Sequence, residues 1–564
     1  MNAFSEMEGN MAHSTNRSAT APMSREIRDA LESAHYVGPS SDELVATSAR
    51  DSGQHVALSP SLLYEGPEPA ALRSTAPATF VDLHLGSVML HVNTNQTEFD
   101  LDPILNTPLE RLTDISYRQE VAAELEQQVV STAVKEFAEF MRNSRKSEER
   151  SLKAYFGYEK KFWFLDAARQ YCAAVDRVTE AFNDLDLRSA GLRRMREYVA
   201  AYAHGPQYIA LKSEILGLIE MLTNVRYCVW IDGGEVTVYP FGEEQDYSEI
   251  IHATFAKFRK NTVHDYRVAY RNSDSMNHVE SWIVDLVARR YPDTFSRLDA
   301  FALRPSFRDG GLVKFDKEVA FYLGYFNYIA RFREVGLPFC YPEVTAEKGD
   351  VAGTDIFDIA LAEKLVQNHS SVVLNDFRLD GPERIIVVSG PNQGGKTTFA
   401  RMFGQLHYLA ALGLPVPARA AKLYLFDEIF THFERSEDIT TLRGKLEDDL
   451  FRMHLILEQA TSRSVIIMNE IFSSTSLKDA MKLGARLVEK LSALDAYCVC
   501  VTFIDELSTI NEKTVSMVSM IDPKNPAVRT FRVERQVADG LAYAHAIAEK
   551  YEITYDWLMR RVPS

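Results

Sequence analysis

From about Leu109 to Ala203 the apolar residues recur at three- and four-residue spacing with few glycines, which predicts a set of long amphipathic helices. Residues 183–186 and Gly205-Pro206 punctuate that run. Upstream, residues 1–78 are rich in Ser, Ala, Pro and Glu without a period, so they read as largely disordered. The stretch from Phe80 to Val92 alternates as a strand would. Over 226–239 the period falls to two on either side of Asp232-Gly233-Gly234, a β-hairpin signal inserted among helices. Helical spacing then resumes, and a last helix from about Phe315 to Val335 stops before Pro338 and Pro342. A linker rich in Glu, Gly and Asp reaches Gly353, which puts a domain boundary near residue 345. Beyond it, Ile385 to Val388 and Val465 to Met468 are continuous branched or apolar runs, the pattern of buried parallel strands. The expected architecture is multi-domain: a helical region over 79–345, then an α/β domain over 355–564.

Composition sharpens this picture in a few places. The 564 residues, 46% of them hydrophobic, are enough for several cores. No apolar run approaches the ~18 residues of a membrane span, and the amino end lacks a basic start followed by an apolar block, so a cytoplasmic protein is expected. Five cysteines without a Cys-x-x-Cys pair argue against a disulfide framework or a zinc site. A net charge of −17 excludes a general polyanion binder, while leaving room for local basic patches.

Candidate chemistry concentrates after the strand at 385–388. There Gly390-Pro391-Asn392-Gln393-Gly394-Gly395-Lys396-Thr397-Thr398 runs into a helical pattern beginning at Lys396. Glycines allow the backbone N–H groups to turn inward on a phosphate, and the following helix adds its positive end. In such a loop Lys396 reaches the β- and γ-phosphates of ATP and the Thr397 hydroxyl ligates Mg²⁺. The strand at 465–468 ends in Asn469-Glu470, where such ATPases place a metal-shell acid and then a Glu that polarises water. Glu470 suits the second role. Asn469 brings an amide oxygen but no charge to the metal, so weaker Mg²⁺ binding is expected. Separately, Lys257, Arg259, Lys260, Arg267 and Arg271 interleave with Phe258, His264, Tyr266 and Tyr270. That mixture suits backbone contact plus base stacking with DNA, and equally a solvated helix face with ordinary core aromatics.

The loop Gly390 to Thr398 resembles the GPNxGGKST loop of the MutS family of DNA mismatch-repair ATPases. Further elements fall in that family's order: Leu374-Asn375-Asp376, Gly413-Leu414-Pro415-Val416-Pro417-Ala418, Asp427-Glu428-Ile429-Phe430-Thr431, and Asn469-Glu470-Ile471-Phe472 running to Ser476. The resemblance covers about residues 355–550. It implies an ABC-type P-loop ATPase domain at the carboxyl side, with Asn375 among its nucleotide contacts, and a core, lever and clamp in the helical region. It also implies a homodimer through the ATPase heads, each nucleotide held between one phosphate loop and the partner's signature segment, acting on mismatched or branched DNA.

Three positions depart from the family around the γ-phosphate. Asn469 stands for its acid, Gly444-Lys445 for its signature Ser-Thr, and Phe503 for its switch histidine. Slow hydrolysis, or chemistry rearranged with Lys445 supplying charge, is the expectation. The first 100 residues are too short and polar for the family's mismatch-reading domain, so branched DNA is expected ahead of direct mismatch insertion. The alternative is a nucleotide-gated protein scaffold with little hydrolysis and no DNA binding.

Overall fold

The computed structural model describes residues 59–94, 98–232, 235–241, 275–434, 444–522, 525–537 and 553–561. From the amino side these form α1 (Thr79–Asp82), α2 (Leu85–Thr94) and α3 (Asp102–Leu105), then α4 (Leu112–Leu125), α5 (Gln128–Lys153), α6 (Gly157–Asp184), α7 (Ala190–Ala203) and α8 (Pro206–Thr223). The expected hairpin follows as β1 (Tyr227–Asp232) and β2 (Glu235–Pro240), antiparallel with Trp230 opposite Thr237. Next come α9 (His278–Arg290), α10 (Pro292–Ala302) and α11 (Gly310–Glu334). The helices lie where the three-and-four spacing put them, because that spacing gives each a buried stripe. In α5 the stripe is Val130, Val134, Phe137 and Met141; in α6 it is Leu165, Ala168, Cys172, Val175 and Phe182. The two are also stapled by Ser144, whose hydroxyl donates to Ala167 O at 2.6 Å.

Among the described residues the carboxyl side holds two sheets. One has six strands in the order β12-β11-β6-β10-β9-β8: β12 (Asn525–Arg535), β11 (Thr514–Asp522), β6 (Ile385–Ser389), β10 (Tyr497–Val501), β9 (Val465–Asn469) and β8 (Ile429–Phe433). All neighbours are parallel except β11 and β12. The other sheet runs β3 (Glu343–Thr345), β7 (Ala420–Tyr424), β4 (Val351–Ile356), β5 (Asn375–Leu379). Helices α12 (Ile359–Gln367), α13 (Lys396–Ala411), α14 (Lys445–Gln459) and α15 (Leu477–Leu494) complete the unit, with α16 (Tyr555–Arg561) near the end. Every residue of β6, β9 and β10 is buried, as continuous apolar runs in a doubly covered sheet must be. The faces alternate: Ile386, Val388, Ile467 and Val499 join the main core, while Ile385, Val387, Ile466, Met468, Cys498 and Cys500 form a second cluster with α14 and α15.

Three expectations are corrected. The stretch from Phe80 to Val92 is helical. Leu85, Val88, Met89 and Val92 share a helical face and are buried, so packing overrode the apparent alternation. The largely disordered segment does not extend to residue 78: Leu62, Leu63 and Tyr64 are buried, and Glu318 of α11 accepts from Ser61 Oγ and Leu62 N, each at 2.6 Å. The stretch after residue 345 is no loose linker, since β3 and β4 sit in the four-stranded sheet, and one hydrophobic cluster runs from Leu62 to Val533 across that point. The candidate DNA residues Lys257, Arg259, Lys260, Arg267 and Arg271 lie outside the described residues. Among the described residues no helix is long and apolar enough to cross a membrane.

Candidate nucleotide site

Strand β6 ends at Ser389 in the middle of the six-stranded sheet, flanked by β10 and β11, and α13 begins seven residues later. The loop between them can turn so tightly because Gly390 and Gly395 take φ of 111° and 95°, and Gln393 follows at 60°. Gly394 is required for a different reason. A Cβ there would lie 2.2 Å from Ser519 Oγ, the hydroxyl that donates to Gly394 O at 2.6 Å. The loop is thereby pinned to β11, and the amino end of a 16-residue helix opens onto it.

Lys396 is buried and its ammonium is folded back on the loop, donating to Gly390 O at 2.7 Å and Asn392 Oδ1 at 3.1 Å. Burial pushes its pKa below the ordinary lysine value; the charges of Glu470 and Asp505 oppose the shift and Arg529 adds to it. Thr397 Oγ1 donates to Asn469 Oδ1 at 2.8 Å, so the two side chains expected at a metal do converge. Glu470 follows with φ of 56°, its N–H held by Val501 O at 2.9 Å. That left-handed turn at the end of β9 aims the chain away from the strand and costs on the order of 1 kcal/mol for a residue with a Cβ. The residues present fit a nucleotide with its metal: a loop whose Gly394 position admits no side chain, a buried ammonium, and a hydroxyl and an amide oxygen side by side.

Beside the loop lies a mostly apolar slot of about 250 Å³ lined by Leu361, Leu365, Val372, Met402, Phe531 and, at the phosphate end, Gly395 and Thr398. Asn375 borders it and clasps β12 from below, donating to Phe531 O at 3.3 Å and accepting from Val533 N at 2.7 Å. Phe531 has φ of 57° and is half exposed, a strained aromatic at the rim of a slot sized for a planar ring. The sequence reading missed Phe531, Ser519, Arg529 and the slot's apolar lining. Ser519, Arg529 and Phe531 come from strands far along the chain from the loop, the slot's aliphatic residues read as ordinary core, and a φ near +57° at a phenylalanine leaves no compositional trace.

The remaining expected positions are placed as follows. Phe503, two residues beyond β10, is 48% exposed. Gly444 caps α14 without a side chain and Lys445 opens it, ion-paired to Glu434 at the end of β8.

Residues 386–551 match the family model for MutS domain V. The matched segment is thus similar to domain V, the ATPase domain of the MutS family. The domain V segment begins inside β6 and takes in the phosphate loop, Asn469-Glu470, Phe503 and Phe531. Asn375 and the slot residues Leu361, Leu365 and Val372 fall ahead of it.

Proposed function

We propose that the protein is a slow, Mg²⁺-dependent ATPase whose nucleotide cycle opens and closes a dimeric clamp on mismatched or branched DNA. The observation that carries this reading is the convergence of Lys396, Thr397 and Asn469 beneath one loop, with an apolar slot beside it. In it the base enters the slot against Phe531, loop N–H groups and Lys396 take the phosphates, and Thr397 and Asn469 hold the metal, which supplies charge neutralisation at the phosphates. Glu470 orients the attacking water and accepts its proton. Homodimerisation brings the partner's Gly444 and Lys445 to the open side, and the exposed Phe503, Leu477 and Met481 are apolar area available to such an interface. A scaffold that binds ATP with little turnover is the second reading. It is favoured by Asn469 and Phe503, which remove a charge and an imidazole from the γ-phosphate side.

The deciding experiment is ATP turnover with and without duplex, mismatched and branched DNA, with Glu470→Gln as the blank. Turnover lost in that variant and altered by one DNA class is the expected result. Turnover at the level of the blank, indifferent to every DNA, overturns the clamp and leaves the scaffold.

A further inference from the structure

Helix α12 is short and largely apolar, and it carries one buried carboxylate, Glu363, which is 5% exposed. Leu361 and Leu365 lie four residues apart on one face of this helix, and both line the slot beside the phosphate loop. Glu363 stands midway between them, about 200° round the helix, so it leaves from the opposite face. A carboxylate buried there is costly unless its oxygens are filled, and both are. Oε1 accepts from Arg331 Nη1 at 2.9 Å, with His91 Nε2 3.4 Å away, and Oε2 accepts from the Tyr328 hydroxyl at 3.3 Å. Tyr328 and Arg331 belong to α11 and His91 to α2. These partners are themselves fixed: Arg331 Nε donates to Tyr328 O at 3.0 Å, the guanidinium lies 4.6 Å from the centre of the Tyr328 ring, and His91 stacks on that ring with centroids 6.0 Å apart. The amino end of α12 is held elsewhere. Asp358 Oδ1 caps it, accepting from Ala360 N and Leu361 N at 3.0 Å each and from Gln405 Nε2 at 2.8 Å, which ties that end to the middle of α13. One wall of the slot is therefore a helix pinned to α13 at its start and to α11 and α2 through Glu363.

Resting on the nucleotide-site reading above, we propose that Glu363 is a positioning residue for the base: its clasp on Arg331 and Tyr328 holds α12 at the distance that lets Leu361 and Leu365 close on a planar ring. Glu363 touches neither base nor phosphate. Without the clasp the wall swings about its capped end and the slot widens, while the phosphate loop, fixed through Ser519 and α13, keeps its shape. The coupling is reciprocal, so a base that fills the slot tightens the seating of α12 on α11 and α2, and the helical half registers the base as well as the phosphates.

The test uses the full chain and calorimetric titration in Mg²⁺ with two ligands, a non-hydrolysable ATP analogue and inorganic tripolyphosphate, which offers phosphates without a base. The wild-type protein is expected to bind the analogue more tightly, and the ratio of the two affinities measures what the slot contributes. Glu363→Gln should cut affinity for the analogue about tenfold and leave that for tripolyphosphate within about twofold. A loosened fold lowers both together, so a parallel loss, like an unchanged ratio, overturns the assignment of Glu363 while the nucleotide site stands. Arg331→Gln opens the clasp from the other side, at a side chain 32% exposed, and should give the same base-selective loss; it carries the test if Glu363→Gln does not fold. A wild type that binds both ligands alike leaves a phosphate site and overturns the role given to Glu363. If the wild type binds neither ligand, the nucleotide-site reading falls, and this one with it.

Discussion

Single residues decide the site's shape more than its composition does. Gly394 is an example, because its missing Cβ is where Ser519 Oγ sits. Gly394→Ala is expected to lower affinity for the ATP analogue at least tenfold in a binding titration, and Ser519→Gly on that background should recover part of it by removing both nearby serine atoms. Glu318 makes a second case. It is buried in α11 and burial raises its carboxyl from an ordinary 4.5 to about 7, against the Ser61 and Leu62 donors and Lys314. A carboxyl raised on folding helps the native state below its unfolded pKa, and that help is lost as pH climbs through the folded one. Urea unfolding of wild type against Glu318→Gln should therefore show the wild type losing roughly 2–3 kcal/mol of relative stability between pH 5 and pH 8. Lys396, Thr397 and Asn375 were legible because a short motif carries them. Ser519 and Phe531 were not, since their meaning lies in which strand they end up beside.

At the scale of elements, periodicity over many residues proved sufficient, and short alternation did so only where a turn signal went with it, as in β1 and β2. Helices α5 and α6 were plain in the sequence because each repeats its buried stripe for several turns. The stretch 80–92 was misread because a few alternating apolar residues fit either period until a partner surface chooses. That surface is Gly404 of α13, against which Leu83 closes, and the flank of α11 against which α2 packs. Arg118 in α4 shows how such elements are tied together. It is fully buried between the rings of Tyr64 and Phe321, with Nε donating to Leu63 O at 2.8 Å and a terminal nitrogen to Leu412 O at 3.2 Å. Arg118→Ala strands two buried carbonyls and opens a cavity, so it should cost roughly 3–5 kcal/mol by denaturant unfolding. Nothing about Arg118 in the sequence set it apart from other helix-surface arginines.

For the whole molecule, the boundary read near residue 345 marks a change of secondary structure and not a gap in the core. Residues 335–360 include two paired strands and sit against buried chain on both sides. Limited proteolysis under native conditions is expected to leave that stretch uncut, and a fragment starting at residue 355 should fail to fold in isolation, as read by circular dichroism. Sequence punctuation pointed to a linker because Gly and Asp favour turns and Glu favours solvent; here they edge a sheet. Helix α13 crosses this continuous interior and is fastened along its length. Its first residue is Lys396, its middle is tied through Gln405 Nε2 to Leu83 O at 2.9 Å, Tyr408 donates to Leu105 O, and the residue after its end, Leu412, accepts from Arg118. Sixteen helical residues make a rod about 24 Å long with little compliance along its axis. A rod that begins at the proposed phosphate site and is bolted at three stations to the helical half has little slack: on the proposed reading, an axial movement that ATP imposes on Lys396 is carried to Leu83 at the end of α1, to α3 and to α4.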